Sequence, residues 1–155
     1  MKHPLVFGDV EIDFVYKKSI SGLPTQDFTV STGYLKIATP ELVALDLLNY
    51  PNHTGGLNHI ATVLSELIET LDVNKLIKLA IDTKTEYQLQ RIGYILDNIE
   101  VMDEIHAEVI INNLALYIAE RKQKYLPLAS ERPTTGYPRC KKWRVIKNTE
   151  IESDL

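Results

Sequence analysis

"TPELVALDLLNYPNHTGGLNH", Thr39 to His59, is where the chain passes from strand-like to helical periodicity, and its reading decides the fold. Thr39, Pro40 and Glu41 make a helix start: a hydroxyl at the capping position, a proline at the first helical position, and an acid in the first turn. Leu42, Leu45 and Leu48, with Val43 and Leu47 beside them, form two adjoining apolar stripes, so a largely buried helix is predicted. Pro51 disfavours helical backbone at Tyr50 and ends it. A second helix is predicted from about Leu57 to Leu71, with Leu57, Ile60, Leu64, Leu67 and Leu71 on one face.

Between these helices lie the residues that look most like chemistry. Gly55 and Gly56 precede a helix, the topology of a phosphate cradle. No Lys-Ser/Thr follows as in a P-loop, and the spacing is not that of a dinucleotide fingerprint. A helix-to-helix turn needing positive φ accounts for both glycines and is the favoured reading. His53 and His59 are six residues apart, but neither cysteine nor carboxylate completes a zinc set, which favours structural or surface histidines. Asp46 sits among leucines. It could be a general base with a raised pKa, or an anchor bonded to backbone or to Arg91, the reading preferred here.

N-terminal to Thr39 the pattern is of strands. Val10, Ile12, Phe14 and Tyr16 alternate with period two, as in a half-buried strand. Gly8-Asp9 can turn a hairpin back to Leu5–Phe7, and "FTVSTGYLKIA" offers two more strands around Thr32-Gly33. An antiparallel sheet of about four strands is predicted. Glu11 and Asp13 share a face of their strand, an arrangement a metal-dependent nuclease could use, although alternating surface acids look the same.

C-terminal to His59 the helices continue. Asp72 is placed to cap a short helix carrying Leu76, Leu79 and Ala80. Thr83 with Glu86, and Thr85 with Gln88, both have capping-box spacing for the next helix, whose stripe is Leu89, Ile92, Leu96 and Ile99. Gly93 inside that helix costs about 1 kcal/mol of propensity against alanine, which implies close backbone packing. "DEIHAEVIINNLALYIAERKQKY" is the longest predicted helix, apolar on most sides between Val109 and Ile118, and is expected at the centre of the domain. After Leu126 comes a loop rich in turn residues, then a last strand in "KWRVIKN" with Trp143 and Val145 alternating. The predicted fold class is α+β: the N-terminal sheet, a bundle of about five helices and a returning C-terminal strand, forming a single domain over residues 1–155.

The composition, 45% apolar and 25% charged, is that of an ordinary globular protein. No apolar run approaches the roughly 20 residues of a membrane span, and the N-terminus lacks a signal-peptide block. The single cysteine, Cys140, cannot form an intrachain disulfide, consistent with a reducing cytoplasm. The net charge of −4 conceals a strong polarity. Arg121 to Lys147 holds nine basic residues and one acid, against eight basic and twenty acidic residues elsewhere. Tyr125, Tyr137 and Trp143 are interleaved with those cations, as in surfaces that track phosphates and stack bases. A solvated basic face with Trp143 in the core is the alternative. No serine elbow, HExxH or Cys–His arrangement supports a conventional hydrolase. The residues call for no cofactor and no metal.

"ATPELVALDLLNYPNHTGGLNHIATVLSEL", Ala38 to Leu67, resembles the signature of the AbiEi-type antitoxins of abortive-infection systems: Thr-Pro-Glu, Leu-x-Asp-Leu and Pro-x-x-x-Gly-Gly-Leu in order. "RIGYILD", Arg91 to Asp97, and the ending from Trp143 to Leu155 are similar to later blocks of that family. The resemblance implies a component of a bacterial type IV toxin–antitoxin system whose C-terminal domain counteracts a nucleotidyltransferase-like toxin. Family members carry an N-terminal winged helix-turn-helix that binds promoter DNA. It is expected to be absent here, so promoter DNA would be a partner only of a protein that also carries it. On this reading Thr39, Pro40, Asp46, Gly55, Gly56, Arg91 and Trp143 form a structural framework. Arg139, Lys141, Lys142, Arg144 and Lys147 are the candidate contacts for the toxin or for nucleic acid.

Overall fold

Two hairpins open the chain in the computed structural model, which describes residues 3–152 and is α+β. Strands β1 (Leu5–Phe7) and β2 (Val10–Ile12) turn at Gly8, whose φ is +59°. Strands β3 (Thr25–Val30) and β4 (Gly33–Ala38) pair with Phe28 opposite Leu35 and Asp27 opposite Lys36. The predicted four-stranded sheet does not form, because each hairpin is a separate two-stranded sheet. The segment between them is drawn onto a helix instead of returning to pair: Lys17 Nζ lies 2.6 and 2.7 Å from the two carboxylate oxygens of Asp46. Nor does the alternation at Val10 and Ile12 produce a buried face; both are exposed, and Phe14 and Tyr16 lie beyond the strand.

Five helices follow: α1 (Pro40–Asn49), α2 (Leu57–Leu67), α3 (Val73–Asp82), α4 (Tyr87–Leu96) and α5 (Glu104–Glu120). Helix α1 begins with Pro40 in its first turn as expected, but Thr39 supplies no side-chain cap and its Oγ1 is buried without a partner. Glu41 does more than complement the dipole. Its buried carboxylate accepts the Asp72 N–H at 3.0 Å, while Asp72 caps α3 through the N–H groups of Asn74 and Lys75. The starts of α1 and α3 are thereby tied together. A 3-10 turn, Ile68–Thr70, extends α2 and carries its apolar stripe to Leu71.

Neither capping box forms ahead of α4. Thr83 Oγ1 donates back to the Leu79 carbonyl, and α4 has no side-chain cap. The connection is instead a Schellman end to α3: Thr85 N–H to Ala80 O at 2.8 Å and Lys84 N–H to Ile81 O at 3.1 Å, with Lys84 left-handed at φ 58°.

Helix α4, not α5, is the centre. Every residue from Gln88 to Leu96 is buried, with α1, α2, α3, α5 and the C-terminal sheet packed around it. Helix α5 is the longest, as predicted, yet only Ala107, Ile110, Leu114 and Ile118 are buried. Ile105, Val109 and Leu116 lie on its exposed side. An apolar helix is buried only as far as it has neighbours, and α5 has them on one side. Gly93 explains how α4 can be so enclosed: a methyl group there would lie 2.0 Å from Cζ3 of Trp143, which is fully buried. The close packing inferred from this glycine is present.

The chain ends in a small sheet of β5 (Leu126–Pro127), β6 (Arg139–Cys140) and β7 (Val145–Ile146). Strand β7 is central, parallel to β5 and antiparallel to β6. The predicted last strand is thus shortened, because Lys141–Arg144 is a turn with Arg144 at φ 53°. Asn148 is buried and holds the preceding loop: it accepts the Ala129 N–H at 2.9 Å and donates to the Ala129 carbonyl at 2.7 Å.

Candidate functional site

The basic segment is assembled on one buried amide. Gln90 Nε2 lies 3.1 Å from the Lys124 carbonyl, 3.2 Å from that of Trp143 and 3.0 Å from that of Arg144. These carbonyls belong to two stretches far apart in sequence, and both carry the cations. Gln90 therefore ties the Lys124–Tyr125 stretch to the turn that carries Arg144. Arg91, one residue on, donates through Nε to the Pro127 carbonyl at 3.0 Å and through NH1 to Gln88 Oε1 at 2.9 Å. Burial lowers the Arg91 pKa, the nearby Tyr87 and Glu131 oppose that shift, and the guanidinium remains charged.

Of the five predicted contact residues, the structure brings Arg139 and Arg144 together. Their guanidiniums lie 5.2 and 5.5 Å from the centroid of the Tyr125 ring. Lys141 is exposed on the adjoining turn. Lys142 is directed elsewhere: its Nζ is 2.8 Å from Asp97 Oδ2, the same oxygen that accepts the Trp143 indole N–H at 2.8 Å. Lys147 lies over Tyr94, 6.0 Å from that ring's centroid. Trp143 itself is core, so it cannot stack on a ligand.

Beside Tyr125 a recess of about 540 Å³ is lined by Tyr87, Gln90, Lys122 and Lys124 among others. Its carboxylate, Glu86, is already engaged by Arg121 at 3.3 Å and by the Tyr117 hydroxyl. Burial, and then the bond to Glu86, push the Tyr117 pKa up to about 12.

The other predicted positions lie elsewhere in the fold. Gly55 and Gly56 have φ of +76° and +87°, as a turn requires, and Gly56 precedes the first residue of α2. His53 and His59 are exposed, and among the described residues no three His, Cys, Asp or Glu side chains converge as a metal site. Asp46 is an anchor, but its partner is Lys17 and not Arg91. Asp13 bonds the Phe14 N–H at 2.9 Å, just past the end of β2. Gln90 and Asn148 belong to no motif in the sequence, and Gln88 is marked there only as a capping-box residue, a role it does not take. The one signal for the glutamines is their position in "YQLQRIGY", where polar side chains interrupt an otherwise apolar helix.

The model of the AbiEi antitoxin C-terminal domain matches residues 2–98. The chain belongs to that family. The AbiEi match covers both hairpins and helices α1–α4, including Thr39, Pro40, Asp46, Gly55, Gly56 and Arg91, and it identifies the chain as an antitoxin of a toxin–antitoxin system. Helix α5, the basic sheet and the ending from Trp143 lie outside the matched residues. No curated protein and no solved structure matches the chain. Among the described residues, no helix is long and apolar enough to cross a membrane.

Proposed function

We propose that this AbiEi-family chain is the antitoxin of a bacterial type IV abortive-infection system, acting in the cytoplasm against a nucleotidyltransferase-like toxin in phage defence. It acts without catalysis, as one unit comprising the hairpins, helices and small sheet, and its contact surface is the basic face around Tyr125. The family match is the observation that carries this reading. The choice of surface rests on exposed cations, Arg139, Lys141 and Arg144, which make no ion pair among the described residues. Contact with the toxin itself and action on the toxin's target are both compatible with such a face.

The test is co-expression with a nucleotidyltransferase-type toxin encoded beside this gene. Growth is expected to be restored by the wild-type chain and impaired by Arg139→Glu with Arg144→Glu. Persistent arrest, with the chain folded and abundant, rules the reading out.

A further inference from the structure

Arg139 and Arg144 come from β6 and from the turn before β7, yet both lie over one ring, Tyr125. Among the described residues neither has a carboxylate within ion-pair distance, although the chain as a whole is acidic. Each is held instead by the face of the tyrosine ring, a weak interaction at an exposed site. Arg144 also sits in the left-handed region at φ 53°, a costly conformation for a side chain of this size. Backbone strain and the lack of a carboxylate partner thus coincide at two exposed guanidiniums, whose planar donor forks suit a phosphate oxygen pair.

The recess beside Tyr125 decides what carries the phosphates. At about 540 Å³ it has room for one nucleotide, and Tyr87 and Tyr125 line it together with Lys122 and Lys124. The cations themselves sit on turns and two-residue strands. No helix or long ribbon presents them, so nothing here is shaped to enter a duplex groove. An open recess lined by two tyrosines and by lysines, next to unpaired arginines, suits an unstacked base and its backbone.

We propose that this face binds single-stranded nucleic acid, with Arg139 and Arg144 on phosphates and a base in the recess lined by Tyr87 and Tyr125. This names the ligand of the surface chosen above and rests on that choice. It requires neither the toxin nor its identity.

The experiment measures fluorescence anisotropy of labelled oligouridylate, oligodeoxythymidylate of equal length and a DNA duplex with the full chain, across a salt series. At least one single strand is expected to bind more tightly than the duplex, and the two single-stranded arms tell RNA from DNA. Arg139→Ala with Arg144→Ala should weaken binding at least about tenfold and flatten the salt slope by about 1.4. Lys75→Ala with Lys78→Ala, exposed on α3, should change nothing, and circular dichroism checks that both variants are folded. Absence of single-strand binding at low salt, equal binding by the arginine variant, or preference for the duplex overturns the proposal. Growth rescue without such binding leaves the antitoxin reading standing and removes this one, whereas binding without rescue does the reverse.

Discussion

Helices α4 and α5 pack against each other, and their sequences promise the opposite of what each does. Helix α5 is apolar around most of its circumference, yet Ile105 is 82% exposed and Leu116 64%. Helix α4 carries Gln88, Gln90 and Arg91, yet all three are buried. Apolar content measures what a helix could bury, while the number of surrounding elements sets what it does bury. The polar residues of α4 are tolerated because each reaches a partner: Gln88 the Leu48 carbonyl, Gln90 three carbonyls, Arg91 that of Pro127. The more polar helix is the keystone, and it also positions the basic face.

The sharpest way to break this contrast is at Gly93. Alanine gains about 1 kcal/mol of helix propensity but drives a methyl into the enclosed Trp143 ring. We expect Gly93→Ala to cost about 3 kcal/mol net in urea unfolding, an overpacking effect at the upper end of its usual range. If the variant proves as stable as wild type, α4 is not the packed centre.

Gln90→Ala is expected to be next, at about 2 kcal/mol, because buried carbonyls lose their donor. Its distinguishing effect is on the basic face. If the amide aligns the two cation-bearing stretches, the variant should also bind the single-stranded probes more weakly at temperatures where it remains folded.

These two residues mark how far the sequence could be read. Gly93 was legible, since a helical glycine without a turn needs a packing reason, and so was the Asp72 cap, a local hydrogen bond within one turn. The two N-terminal hairpins and their turns were legible for the same reason, whereas the pairing of β7 with β5 and β6 was not. Gln90 was not, because its partners lie 34 to 54 residues away and a glutamine in a helix carries no sign of its burial. The four-stranded sheet failed similarly: Lys17 has no local reason to seek Asp46, yet their contact takes the linker away from the strands. At the basic face, the charge run and its interleaved aromatics were visible, while the division of labour was not. Trp143 and Lys142 look equivalent to Tyr125 and Arg144 until Asp97 is seen to engage the first pair.

The seam between the two helices offers a milder test. Tyr117 on α5 donates to Glu86 at the start of α4, and its pKa is raised to about 12. Because the folded value lies above the unfolded one of about 10, the contribution is fully present below pH 10 and is lost as pH rises through 12. Alkaline pH should therefore weaken the seam between about pH 10 and 12, and phenolate absorbance should show Tyr117 titrating late, alongside Tyr94, whose pKa burial also raises. Glu86→Gln should make the Tyr117 titration earlier, and Tyr117→Phe should remove that component, and not the Tyr94 one, at a cost of about 1 kcal/mol.

The smallest expected effect is also the one that would turn the comparison over. On α5, Ile105, Val109 and Leu116 lie at helical spacing on the side opposite Ala107, Ile110, Leu114 and Ile118. If they are solvated in the isolated chain, Ile105→Ser with Leu116→Ser removes no packing and should change stability by no more than about 0.5 kcal/mol in urea titration. The matching change on the inner side, Leu114→Ser, should be severe, since it leaves a cavity and a hydroxyl among apolar neighbours. A loss of more than about 1 kcal/mol from the outer pair would mean that this side of α5 is covered in solution, because exposed substitutions do not reach that value. Concentration dependence of the loss would then identify the cover as a second copy of the chain, since only association makes stability depend on protein concentration.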